Sequence, residues 1–154
     1  MGYADGGHQA LCHCVDCRKI GGANYSNNFV IPASQFNVTA GTPKEFSKTA
    51  DSGKEITSCF CGDCGMEQPP SIRAGISCQR PCFLKTDSGV GTTLFRYGET
   101  FGGRDGMMVV KAGILDDVDV INSHKPGAEL YAPERVKWVA QVEGTDDLEG
   151  MPQA

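Results

Sequence analysis

No stretch of the 154 residues approaches the 18 consecutive apolar residues of a membrane span, and residues 1 to 11 carry no apolar segment of the kind a secretory leader needs. An excess of positive charge is missing as well. With 14 Lys and Arg against 19 Asp and Glu the net charge is −5, so the basic stripe that neutralises nucleic-acid phosphates is lacking and a nucleic-acid partner is not expected. Aromatic residues are few, at 8%, and no segment sustains a 3.6-residue apolar period. Long helices are thereby disfavoured. Twenty glycines and eight prolines instead divide the chain into short segments, which reads as strands joined by turns within one domain's worth of sequence. The expectation is a mainly β protein, soluble and cytoplasmic, with no membrane and no nucleic acid among its partners.

What the sequence does have is cysteine in clusters. Cys12-His13-Cys14-Val15-Asp16-Cys17 places three thiols in six residues, and Cys59-Phe60-Cys61-Gly62-Asp63-Cys64 repeats the spacing downstream. On an extended strand residues i and i+2 share a face, so Cys12 and Cys14 can present both sulfurs to one ion while His13 points away. A turn over the next two residues brings in Cys17, as in many zinc sites. The alternatives are buried structural cysteines or a disulfide, and disulfides across such short spacings are geometrically awkward.

Along the chain, residues 1 to 11 read as a disordered start. Arg18 to Gly22 allows no more than a helical turn. Phe29-Val30-Ile31 reads as a buried strand ended by Pro32, and 35–39 with 44–47 as a strand pair about the turn at 40–43. The turn signal Asp51-Ser52-Gly53-Lys54 precedes a strand from Glu55 to Phe60. Residues 66–91 show no alternation and read as an inserted loop. Strands resume at Thr93–Tyr97 and Met107–Lys111, with Glu129–Tyr131 and Arg135–Val139 as the last ordered candidates, and 143–154 reads as a disordered acidic tail. The domain proper is thus 12–142.

Cys12-His13-Cys14-x-x-Cys17-Arg18-Lys19, Gly41-x-Pro43, Phe60-Cys61-x-x-Cys64-Gly65, Lys111-Ala112-Gly113 and a closing Trp138 together resemble the glutathione-dependent formaldehyde-activating enzyme family, which also includes centromere protein V. The resemblance implies an antiparallel β fold of the Mss4-like type with zinc knuckles. It implies two zinc sites, a structural one that includes Cys61 and Cys64 and an open three-thiolate one at Cys12, Cys14 and Cys17. In the family a strand bearing a further Cys-x-Cys precedes this motif, and here only eleven residues do, so the structural site is expected to be incomplete, with Cys59 able to compensate only in part as a third thiolate beside Cys61 and Cys64. A buried strand cysteine is the plainer reading of Cys59.

Three protein ligands leave a zinc position open to water, a thiol or a carbonyl oxygen, whereas four close it. The implied function is therefore a zinc-dependent carbon–sulfur lyase acting on a glutathione, or other thiol, adduct of formaldehyde or a similar small electrophile, with Cys12, Cys14 and Cys17 as the catalytic cluster. Zinc with three thiolates carries a net negative charge, and Arg18 and Lys19 are the candidates to offset it or to hold the carboxylates of glutathione; solvated surface charge is the other reading. His8 could cap the open position, but a solvated histidine is the plainer account, as it is for His124. Asp16 and Asp63 read as satisfying backbone amides, and Tyr131 and Trp138 as pocket or core aromatics. The alternative function is a zinc-stabilised interaction module without catalysis, which a fourth protein ligand at Cys12, Cys14 and Cys17 would favour.

Overall fold

The computed structural model describes residues 8–38, 42–50, 53–60, 93–115 and 117–152. Over these the chain is mainly β, as composition and periodicity predict. The strands are β1 (His8–Cys12), β2 (Ser26–Pro32), β3 (Lys44–Thr49), β4 (Glu55–Phe60), β5 (Thr93–Gly98), β6 (Met107–Lys111), β7 (Ala128–Leu130) and β8 (Asp146–Leu148). They form a single sheet in the order β3-β4-β5-β6-β2-β1-β7-β8, accompanied by two short helices, α1 (Val15–Gly21) and α2 (Val118–Ser123).

The ladders from β3 across to β1 are antiparallel. At the other edge β7 runs parallel to β1 and β8 parallel to β7. The expected antiparallel sheet is therefore mixed. Residues 131–145 make this possible, because a parallel neighbour needs a crossover of a dozen or more residues and this connection supplies it.

Several sequence-based expectations are corrected here. Part of the supposed disordered start is β1, whose residues from Gln9 to Cys12 are buried. Its strand character was hidden because both faces are covered, with Gln9 Nε2 donating to the Ile121 carbonyl at 2.7 Å. Segment 44–47 pairs with β4, and Ala33–Gln35 forms a 3₁₀ turn instead of starting a strand. Arg135–Val139 is not a strand; a 3₁₀ turn at Ala132–Glu134 and further turns occupy that region. The acidic segment after residue 142 holds β8, which the charges of Asp146 and Asp147 disguise. Its backbone pairs with β7, Asp147 meets Arg135, and Leu148 packs on the cluster around Cys12. Residues 66–91 and the knuckle cysteines Cys61 and Cys64 lie outside the described residues.

Period-2 alternation sorts the sheet into two unlike faces. One is apolar: Phe29, Phe95, Tyr97, Met108, Val110 and Cys59 form the main core with Leu94 and Ala112, and Ile31 packs on it. The opposite face carries Asn28 and Val30 from β2, Arg96 from β5, Val109 and Lys111 from β6, and Ala10 and Cys12 from β1, and these surround a cavity. Register brings Asn28 beside both Ala10 and Lys111, and Arg96 beside Val109. A smaller apolar cluster of Ala10, Cys12, Cys17 and Leu130 closes this second side.

Candidate metal centre

The three upstream thiols arise from three different local structures. Cys12 is the last residue of β1, opposite Ser26 of β2 and Leu130 of β7. One further backbone bond, from the His13 N–H to the Leu130 carbonyl at 3.0 Å, prolongs the pairing before the chain turns. Cys14 is then the N-cap of α1, its sulfur accepting the Cys17 N–H at 3.4 Å in the manner of a capping hydroxyl. Cys17 lies in the first turn. The helix ends at Gly22, whose positive φ of 58° lets its N–H reach back to the Arg18 carbonyl. Cys12 and Cys14 thus do not share a strand face; a strand end and a helix start converge them.

The three sulfurs lie within 4.8 Å of one another, and all three cysteines are free. Cys12 and Cys17 are buried and Cys14 is partly open to the cavity. A four-coordinate zinc with Zn–S bonds near 2.3 Å asks for sulfurs roughly 3.8 Å apart, which this spacing accommodates. Charge makes the same point. The neighbouring thiols Cys14 and Cys17, and then burial, push the Cys12 thiol far up, while hydrogen bonds from Cys12 and Cys14, with help from the Lys111 charge, pull Cys17 far down. The cluster by itself holds one thiolate readily and resists more. Three thiolates together require a cation among them, and soft sulfur donors suit zinc. Among the described residues no fourth His, Cys, Asp or Glu joins this group.

Two buried cations face the cluster; from the sequence neither is assigned a role there, Lys111 entering only within the Lys111-Ala112-Gly113 motif. Arg96, 6% exposed, has Nη1 3.9 Å from Cys17 Sγ. Lys111, 8% exposed, donates from Nζ to Asn28 Oδ1 at 2.7 Å. Burial lowers the Lys111 pKa, and the Cys17 charge opposes that shift. Asn28 is itself fixed, its Nδ2 donating to the Ala10 carbonyl at 3.2 Å and to Ser26 Oγ at 2.9 Å. The signal was present in the sequence: Arg96 interrupts Leu94-Phe95-x-Tyr97 and Lys111 ends an apolar run, and a charge within a buried strand requires a partner.

Arg18 and Lys19 sit elsewhere. They lie beside a separate cleft along α1, lined also by Val15, Gly22, Ala23 and Asn24, and Arg18 reaches Glu134 at 3.9 Å. Cys59 is 1% exposed within the main core on the other face, where burial and then Glu45 push its thiol up to about 12. The structure does not bring it to the three thiols. Asp16 pairs with Lys48 Nζ at 2.6 Å instead of capping amides, and His124 caps α2 with its ring edge on Phe29. His8 is half-buried in β1, outside the thiol group. Trp138 is 75% exposed, whereas Tyr131, in the left-handed region at φ 55°, lines the cavity.

His13 is fully buried and does not join the thiol group. Its Nε2 meets Glu129 Oε2 at 2.7 Å, and the same carboxylate accepts from Arg135 Nε at 2.9 Å, the Val142 N–H at 2.7 Å and Thr145 Oγ1 at 3.1 Å. The loop between Cys12 and Cys14 is thereby tied to β7 and to the segment leading into β8.

No helix among the described residues is long and apolar enough to cross a membrane. No curated protein matches the chain. Residues 3–75, which carry the whole three-thiol motif, match the family model of the glutathione-dependent formaldehyde-activating enzymes.

Proposed function

We propose that the protein is a carbon–sulfur lyase that makes or breaks the bond between a thiol, glutathione in the first instance, and the carbon of formaldehyde or a similar small electrophile. The observation that supports this reading is the three-thiol group with no fourth donor among the described residues, opening through Cys14 onto a cavity beside two buried cations. Cys12, Cys14 and Cys17 are the residues to hold zinc. When bound, that ion supplies a Lewis-acid position that lowers the pKa of an incoming thiol or polarises a carbonyl oxygen.

The remaining roles fall to the chain. Val30, Ile56, Val109 and Leu130 make the cavity wall apolar and keep bulk water from the reacting carbon. Arg96 and Lys111 hold positive charge where a thiolate must arrive. Arg18 and Lys19, along the neighbouring cleft, are proposed to meet the carboxylates at the ends of glutathione. In the synthetic direction a sulfur–carbon bond forms, the carbonyl π bond opens, and the thiol proton ends on the oxygen as a hydroxymethyl adduct.

The test is to load the protein with zinc, mix it with glutathione and formaldehyde, and follow exchange into the adduct by NMR. Acceleration over the uncatalysed exchange, lost in Cys14→Ser, is expected. No acceleration by a zinc-loaded protein whose X-ray absorption shows a fourth protein ligand would decide for a zinc-stabilised interaction module instead.

A further inference from the structure

A buried cation without a carboxylate partner is costly, and among the described residues one sheet face carries two of them, Arg96 and Lys111, with only the thiol cluster to answer their charge. Among the described residues neither Arg96 nor Lys111 pairs with a carboxylate. Lys111 Nζ has a neutral amide oxygen, Asn28 Oδ1, at 2.7 Å. Arg96 Nε and Nη2 are buried with no acceptor among the described residues, while Nη1 faces the sulfur of Cys17 at 3.9 Å. Both side chains line the cavity into which the thiols open. The other charged groups nearby do not balance them: Asp16, also on the cavity wall, is engaged by Lys48, and Glu129 by His13 and Arg135.

Formal charge then constrains what the site accepts. Three thiolates with a divalent ion carry one net negative charge, and a further thiolate would make it two. Arg96 and Lys111 bring that four-sulfur state to neutrality; with a neutral fourth ligand the same pocket retains one uncompensated positive charge in a low-dielectric setting.

We infer that Arg96 and Lys111 set the ligand class of the three-thiol site, making it a receptor for an anionic sulfur donor, a thiolate, in preference to a neutral donor such as imidazole or water. This deepens the function proposed above and rests on its assignment of a divalent metal to Cys12, Cys14 and Cys17. It replaces the role first given to Arg18 and Lys19 at the reacting sulfur and leaves those residues to the distal parts of the substrate. Arg96 and Lys111 are specificity-determining residues, acting by charge.

The full-length chain loaded with cobalt(II) provides a readout independent of turnover. Binding of 2-mercaptoethanol adds intensity to the sulfur-to-cobalt charge-transfer band, and binding of imidazole shifts the visible ligand-field bands. The ratio of the two affinities is measured on the same sample, so partial unfolding of a variant cancels. Wild-type protein is expected to prefer the thiol. Arg96→Gln and Lys111→Met should each lower the thiol-to-imidazole ratio roughly tenfold or more, and Arg96→Lys should restore most of it. Thiol-selective binding that all these variants retain would overturn the inference, as would a wild-type protein that prefers imidazole. Failure of the lyase reading looks different: the charge-dependent preference persists, but glutathione and formaldehyde exchange no faster than in buffer. If instead turnover is present and the ratio is insensitive to both cations, the lyase reading stands and this inference falls.

Discussion

Replacing Glu129 with alanine should be the most damaging single change in the half of the molecule that holds the thiols. The carboxylate is 1% exposed and accepts from four donors: His13 Nε2, Arg135 Nε, the Val142 N–H and Thr145 Oγ1. Among the described residues, truncation leaves Arg135 with only Asp147 and strands the Val142 N–H and the His13 ring, whose Nδ1 already lacks a partner, while the Thr145 hydroxyl keeps the Val142 carbonyl at 2.7 Å. Removing one member of a buried charge network costs about 3–5 kcal/mol, a large part of the 5–15 kcal/mol typical of a domain. With a urea m-value of about 2 kcal/mol/M, the midpoint should fall by roughly 1.5–2.5 M. Far-UV circular dichroism is the suitable probe, since Trp138 is 75% exposed and a poor reporter of burial. His13 separates Cys12 from Cys14, so loss of its anchor should also speed zinc transfer to a chelator. A midpoint shift below about 0.3 M with unchanged zinc release would falsify the view that this network holds the metal loop.

The network also fixes a pH dependence: burial alone would raise the Glu129 pKa, but the Val142 N–H, then His13, Arg135 and Thr145, bring it below the ordinary carboxylate value. The unfolded chain therefore binds that proton first as pH falls, and the stabilisation, complete above the ordinary value, is lost as pH drops through the lowered one; Glu129→Gln should flatten acid unfolding curves over that window. Cys14→Ser should release zinc from the site under mild chelation, because two thiolates remain, and full retention of that zinc would remove Cys14 from the ligand set. Cys59→Ala should lower stability by about 1–2 kcal/mol through a small core cavity while leaving zinc content unchanged; a fall in zinc stoichiometry would make Cys59 a ligand after all. Gly106→Ala places a Cβ 2.0 Å from the Phe101 carbonyl oxygen and 2.7 Å from the Gly102 Cα, so the turn into β6 must shift, and thermal unfolding should register a loss of about 1–3 kcal/mol or more.

How much could be read in advance depended on the range of the interaction concerned. The strands from Glu55, Thr93 and Met107 were legible because an apolar run bounded by turn residues is a local signal, and Gly53 at φ 77° takes up the turn that its sequence announced. The three-thiol group was legible for the same reason, since six residues contain all of its donors. Local geometry was less secure: the strand-face argument converged Cys12 and Cys14 correctly for the wrong reason, because a helix cap does the work. Polar segments misled. β8 reads as a solvated acidic tail, yet its backbone pairs with β7 and its Asp147 meets Arg135 across the fold.

The sequence by itself determined that the protein is mainly β and that a metal-capable cluster stands at residues 12–17, because both follow from residue types at short spacing. Tertiary structure alone decided which charges belong to that cluster. Arg18 and Lys19 adjoin the thiols in the chain but turn into another cleft, whereas Arg96 and Lys111, some 80 and 95 residues downstream, are delivered by the register of β5 and β6 to the face on which β1 ends. Electrostatic energy falls with distance in space and with the dielectric between charges, and the order of residues along a chain specifies neither.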